Sequence, residues 1–152
     1  MSDVVDASTR SRMMAGIRGT DTKLELLIRK GIHARGYRFR LYDKNLPGKP
    51  DLVFPRYNAV IFIHGCFWHA HECHLFKWPA SRKAFWYQKL SANRQRDEQI
   101  REALLSMGWR VMTIWECSIR KLGTNRDHEL GSILDRVERW LYSDRKITDL
   151  HG

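Results

Sequence analysis

Asp51-Leu52-Val53-Phe54 and Ala59-Val60-Ile61-Phe62-Ile63 are two near-continuous apolar runs separated by Pro55-Arg56-Tyr57-Asn58. Short runs of this kind, rich in β-branched and aromatic residues and bounded by Pro and Asn, read as buried strands joined by a tight connection. His64-Gly65 ends the second run, and Pro47-Gly48-Lys49-Pro50 is a turn ahead of the first. Upstream, Tyr37 to Leu41 alternates aromatic or apolar residues with Arg38 and Arg40, predicting a half-exposed strand. Before it, Leu24, Leu27, Ile28 and Ile32 recur at helical spacing between an N-cap at Thr20 or Asp21 and a C-cap at Gly36, predicting a helix over 21–35. Downstream, Ser81 as N-cap and the positions Phe85, Trp86, Leu90, Ile100 and Leu104 predict a helix to Met107, stopped by Gly108. Trp109 to Trp115 then predicts a strand, and Leu130, Ile133, Leu134, Val137, Trp140 and Leu141 an amphipathic helix. The sum is a mixed α/β domain with helices covering a small sheet. The expected organisation is a basic arm over 1–19, one domain over 20–142 and a polar tail over 143–152 that frays.

At 152 residues the chain suits one compact domain. Lys and Arg number 27 against 17 acidic residues, a net charge of +10 spread along the chain, which favours a polyanionic partner over a neutral one. The first 20 residues carry Asp3, Asp6, Arg10, Arg12 and Arg18 without an apolar stretch, so no signal peptide or membrane anchor is expected. Three cysteines cannot all pair within one molecule; reduced thiols or metal ligands in a cytosolic setting are the expectation.

Residues 64–80 follow neither a helical nor a strand period and hold too many polar groups to be buried whole. Within this stretch Cys66, His71 and Cys73 lie close together, and Cys117 follows the strand that comes after the long helix. Cys3His is a known structural zinc set, and it would explain how an aperiodic aromatic loop stays folded. The alternative is three unrelated thiols beside a histidine. Two catalytic zinc signatures fail on the letters. His71-Glu72-Cys73-His74-Leu75 has leucine where a zincin needs its second histidine, and no P-C-x-x-C exists to complete a base deaminase.

Phosphodiester cleavage needs an activated water, charge stabilisation at phosphate and help for the leaving oxygen, which Mg2+ on carboxylates supplies. Asp51 at a strand start, Glu25 on the first helix and Asp97 on the long helix are candidates to converge, with His69 as general base. Each alone has an ordinary alternative as a solvated carboxylate, a turn residue or a packed histidine.

Pro50-Asp51, then Ile61-Phe62-Ile63-His64-Gly65-Cys66-Phe67-Trp68-His69, His71 and Cys73, and Trp115-Glu116-Cys117 strongly resemble the very short patch repair (Vsr) DNA mismatch endonucleases. Thr9-Arg10-Ser11-Arg12-Met13-Met14, Phe85-Trp86 and Asn93 to Asp97 match too, so the likeness spans roughly residues 8–142. The resemblance implies a restriction-endonuclease-like fold, structural Zn2+ on Cys66, His71, Cys73 and Cys117, and an Mg2+-dependent nick 5′ of the thymine in a T·G mismatch left by 5-methylcytosine deamination. It implies that Asp51 and the backbone carbonyl of Ile63 bind magnesium, and that His69 activates water. His64, Glu25 and Asp97 would support the site. Position 63 departs from the threonine more usual in the family: a carbonyl ligand survives the change, a hydroxyl contact does not.

The resemblance also implies that Phe67, Trp68 and Trp86 wedge beside the mismatch, where an imperfect pair costs less to unstack. Met14 and Ile17 of the arm would enter the opposite groove. Lys89 and Asn93, one helical turn apart, would reach base edges. The implied setting is a bacterial, cytoplasmic, DNA-associated monomer acting on double-stranded DNA, with mismatch-repair and resynthesis proteins as partners and no membrane. Two other readings stay open: a zinc-stapled module that binds distorted DNA without cutting it, and a restriction-type nuclease that breaks both strands.

Overall fold

The computed structural model describes residues 23–69, 71, 73, 77–120 and 126–151. The arm over 1–19, with Met14 and Ile17, lies outside the described residues. The elements in chain order are α1 (Lys23–Ala34), β1 (Arg40–Leu41), β2 (Leu52–Phe54), β3 (Ala59–His64), α2 (Lys83–Ser106), β4 (Arg110–Trp115), α3 (Cys117–Arg120), α4 (Arg126–Leu141) and β5 (Ile147–Leu150).

The strands form one mixed sheet in the order β1-β2-β3-β4-β5. β1, β2 and β3 pair antiparallel, and β3-β4 and β4-β5 pair parallel. Antiparallel neighbours need only a tight link, supplied between β2 and β3 by the single 3-10 turn Pro55–Tyr57. Parallel neighbours need a crossover, and α2 and α4 provide the two.

The side-chain period of two divides the apolar runs between the two faces of the sheet. Leu52, Phe54, Ile61, Ile63, Met112 and Ile114 pack with Ile28 and Ile32 of α1 and Ile133, Leu134, Val137 and Trp140 of α4. Val53, Val60, Phe62 and Val111 pack with Leu46 and with Leu104 of α2. His64 follows Phe62 on the α2 side, which is what brings it towards that helix. α1 and α4 meet closely at Gly31, where a Cβ would stand 2.5 Å from Leu134 Cδ1.

α1 ends as its sequence predicts. Gly36 takes φ +94°, its N–H donates to His33 O at 3.0 Å, and Tyr37 N–H donates to Ile32 O at 3.4 Å. This is a Schellman closure, with Ile32 and Tyr37 both buried. It also explains why the strand expected over 37–41 shrinks to Arg40–Leu41: Tyr37 is held by the helix end, its ring against Tyr57 and its hydroxyl on Glu138 at 3.0 Å.

Two further expectations are corrected. Ser81 is not the N-cap of the long helix; Arg82 holds that position with φ 55°, makes no side-chain cap, and lays its guanidinium 4.3 Å over the Phe85 ring. The tail expected to fray over 143–152 instead adds the fifth strand at Ile147–Leu150, and Val111 N–H donates to Lys146 O at 2.8 Å. Only Leu150 of this strand is buried, so its pattern lacks the alternation that marks a strand in a sequence. Arg110 secures the approach to it. Its guanidinium donates to the carbonyls of Tyr57 at 3.0 Å, Trp140 at 2.9 Å and Leu141 at 2.9 Å, closing the open carbonyl end of α4. Among the described residues no helix is long and apolar enough to cross a membrane.

Leu150 is 1% exposed in the α1–α4 core. Leu150→Ala should lower stability by about 2–5 kcal/mol in urea unfolding. Ile147→Ala on the exposed face of the same strand should change it by about 0.5 kcal/mol or less.

Candidate active site and metal cluster

The parallel register pairs His64 with Trp115 at the last rung of the β3-β4 ladder. Two residues beyond the end of each strand stand Cys66 and Cys117, so the ladder brings them close together. Both are fully buried. The link is tightened by Glu116, whose N–H donates to His64 O at 2.9 Å and whose Oε1 accepts from Cys66 N–H at 3.3 Å. The chain then coils back. His69 N–H donates to Gly65 O at 3.3 Å and His71 N–H to Cys66 O at 2.9 Å, which returns His71 and Cys73 to the two cysteines.

The donor atoms of Cys66, His71, Cys73 and Cys117 all lie within 4.8 Å of one another, with Cys117 Sγ 3.6 Å from His71 Nδ1. Burial pushes the Cys66 thiol up, and the adjoining Cys73 and Cys117 thiols raise it further. A cation at the centre would reverse that balance and convert the thiols to thiolates. A cluster of this composition fits a metal ion. The Trp115 ring lies flat against His71, 4.0 Å between centroids at 8°.

A second constellation lies towards α2. His69 Nδ1 is 2.5 Å from Asp97 Oδ2, and the His69 ring stacks on His64 with centroids 3.7 Å apart at 3°. Trp115 meets both imidazoles edge-on, at 5.2 Å for His64 and 6.1 Å for His69. Burial holds the His64 imidazole well below its ordinary value, and electrostatic interaction with His69, Arg101 and His71 lowers it further. These residues border a cleft of about 620 Å³ between α2 and the β3-β4-β5 face, with Arg94, Arg101 and Asp149 also on its wall.

The third constellation sits at the β2 end of the sheet. Asp51 Oδ2 accepts from Ile63 N–H at 2.7 Å, while the Ile63 side chain packs into the core. Glu25, on α1, is 5% exposed and accepts from the Tyr42 hydroxyl. Burial pushes the Asp51 carboxyl up to about 7; the Ile63 N–H opposes this and the negative charge of Glu25 adds to it. A buried carboxylate beside another acid is a site that a hard dication would stabilise.

The expected catalytic residues thus fall in two pairs, Asp51 with Glu25 and His69 with Asp97. Ile63 and His64 are adjacent on β3 and touch one pair each. Asp51 belongs to neither of the two metal-competent groups found among the described residues. The aromatic residues converge: Phe67 lies 5.2 Å from Trp68 and 5.4 Å from Trp86, and Trp68 lies 6.1 Å from Trp86. Asn93 Nδ2 donates to Trp68 O at 2.9 Å and ties α2 to this loop, while Lys89 one turn away is exposed.

Sequence reasoning missed Tyr42, Glu116 and Trp115 as members of the site. Trp115 and Glu116 could have been found from the register once β3 and β4 were taken as parallel neighbours. Tyr42 gave no local signal, since its φ of 49° is unusual for a bulky residue and unreadable from the letters.

Comparison with known proteins gives a consistent result. The family profile described as DNA mismatch endonuclease Vsr matches residues 2–75. The chain is 43% identical over 141 residues, 93% of its own length and 88% of the relative, to DNA mismatch endonuclease Vsr of Escherichia coli (strain K12). It is 43% identical over 135 residues, 89% of this chain and 98% of the relative, to Type II nicking enzyme V.XorIIP of Xanthomonas oryzae pv. oryzae. It is 39% identical over 127 residues, 84% and 91%, to Type II nicking enzyme V.NmeAIP of Neisseria meningitidis.

The raised Asp51 carboxyl has a consequence for stability. A group whose folded pKa exceeds its unfolded value favours folding below the unfolded value and loses that contribution as pH rises through the folded one, here about 7. Without added Mg2+, Asp51→Asn should therefore gain thermal stability over the parent as pH rises from about 5 to about 8.5, by at most about 4 kcal/mol at roughly 1.4 kcal/mol per pK unit. A gain that shrinks over that range would contradict the burial argument.

Proposed function

The chain belongs to the Vsr DNA mismatch endonuclease family, and on that premise we propose that it nicks one strand of duplex DNA 5′ of the thymine in a T·G mismatch, as after 5-methylcytosine deamination. The observation that carries the reading is the His69–Asp97 pair at 2.5 Å, set at the strand end whose preceding residue, Ile63, binds Asp51. The fold is of the restriction-endonuclease kind, with a mixed sheet and its carboxylate at the start of β2, against Ile63 near the end of β3.

Zn2+ on Cys66, His71, Cys73 and Cys117 serves structure, since three thiols and one imidazole leave no open position. Asp51 and the Ile63 carbonyl hold Mg2+, and Glu25 supports them. When bound, Mg2+ supplies charge stabilisation at the phosphate and at the leaving oxygen.

His69 supplies the base. With its Nδ1–H given to Asp97, the ring presents Nε2 with a lone pair to accept a proton from the attacking water. Asp97 fixes that tautomer and steadies the imidazolium that forms. His64, stacked on His69 and kept neutral by burial, limits how far the ring can turn without adding a permanent charge beside it.

Phe67, Trp68 and Trp86 form one aromatic edge that enters the base stack at the mismatch, where unstacking costs least. Lys89 reaches towards base edges, and Asn93 joins it when its bond to Trp68 O is exchanged for a base. Met14 and Ile17 of the basic arm complete the grip from the opposite groove. Several relatives are Type II nicking enzymes, which favours a single-strand product over a double-strand break. A net charge of +10 supplies sequence-independent attraction to the duplex.

The test is a set of end-labelled duplexes with one T·G pair in several flanking sequences, beside matched controls. The expected product is one Mg2+-dependent nick 5′ of the mismatched thymine, lost by at least about 1,000-fold in Asp51→Ala. Circular dichroism and zinc content should stay those of the parent. Mismatch binding without any nick would replace this reading by a binding module, and cuts in both strands by a restriction-type nuclease.

A further inference from the structure

The donor atoms of His64, His69 and Asp97 lie within 4.8 Å of one another and share no residue with the cysteine cluster. We propose that these three side chains form a second metal site, selective for a borderline transition dication over Mg2+, whose occupation silences the enzyme.

Two imidazoles and one carboxylate are the donor set that Zn2+, Co2+ and Ni2+ accept and that Mg2+, which prefers oxygen and retained water, does not. The His64 and His69 rings stack face to face beside Trp115, so two of the three donors are already close together, and a tilt of one ring brings both lone pairs onto one ion. His64 Nδ1 is buried and has no hydrogen-bond partner among the described residues, a polar atom whose desolvation nothing there offsets. The site opens on the cleft between α2 and the sheet, through which a hydrated ion can enter.

Ligands of one ion at metal–donor distances near 2.1 Å stand about 3–3.5 Å apart, so donors within 4.8 Å need only small side-chain shifts to close on it. On binding at His69 Nδ1, the ion takes the place of the N–H held by Asp97, and that proton moves to Nε2, so the ring stays neutral. Arg94 and Arg101 on the cleft wall oppose the ion, and Glu98 and Asp149 offset them. The second equivalent is accordingly weaker than the one held by three thiolates. Silencing follows because an imidazole with its lone pair on the ion and its proton on the other nitrogen has none left to accept the proton of water. This consequence rests on the proposed role of His69, whereas the binding does not.

The experiment loads the protein with one equivalent of Zn2+ and titrates it with Co2+ alone, following visible absorption and paramagnetically shifted imidazole N–H resonances. The expected result is one further equivalent with two shifted imidazole signals, retained in Asp51→Asn. His64→Ala and Asp97→Asn should each weaken it by more than about 100-fold, with zinc content and circular dichroism unchanged. Absence of shifted imidazole signals in the parent protein overturns the site whatever the variants do, and so does unchanged Co2+ affinity in folded His64→Ala. Nicking assayed with Mg2+ should fall as the second equivalent fills; full nicking with the site filled overturns the silencing. A chain that never nicks, yet shows the imidazole-bound cobalt, would instead overturn the endonuclease reading and leave the site standing.

Discussion

Three thiols and an imidazole drawn together at the end of one parallel strand pair form the constraint on which the site depends. The β3-β4 ladder delivers Cys66 and Cys117, and the two backbone hydrogen bonds that follow Cys66 return His71 and Cys73 to them. Between those anchors stand Phe67, Trp68 and His69, residues with different tasks that hydrophobic burial alone could not hold. Each is only partly buried. A short loop with few apolar contacts orders itself at a conformational cost of about 1–2 kcal/mol per residue. A cross-link at both of its ends removes much of that cost.

The same geometry separates the chemistry by environment. Asp51 stands at the start of β2, bonded to the Ile63 N–H, where burial and Glu25 make its charge costly and so create a demand for a cation. His69 lies on the cleft side, oriented by Asp97 and flanked by neutral His64. One strand end, Ile63-His64, touches both. Trp115 is the wall common to the cluster and the histidines, flat against His71 and edge-on to His64 and His69.

Much of this was legible in the letters because the signals were local. The apolar runs of β2 and β3, the helical spacing of Leu24 to Ile32 ended by Gly36, and the soft donors of residues 66–73 each carry their meaning within a short window. What failed was set by tertiary contact. β5 buries a single leucine, so its sequence reads as a polar tail, and Ser81 loses the capping position to an arginine held over Phe85. The division of the carboxylates into two pairs could not be read, because it depends on which face of the sheet each helix covers. Asn93, whose spacing from Lys89 suggests an outward face, turns its amide back to Trp68 O.

The metal ion proposed on Cys66, His71, Cys73 and Cys117, and not the sheet alone, would hold the loop that carries His69 in place. Amide hydrogen exchange before and after removal of bound metal by a chelator tests it most directly. The His69 and His71 amides, bonded to Gly65 O and Cys66 O, should lose protection by at least about tenfold, equivalent to about 1.4 kcal/mol of local stability, while Ile61 and Met112 in the centre of the sheet keep theirs. Unchanged protection at His69 and His71 after the metal has gone would contradict the account.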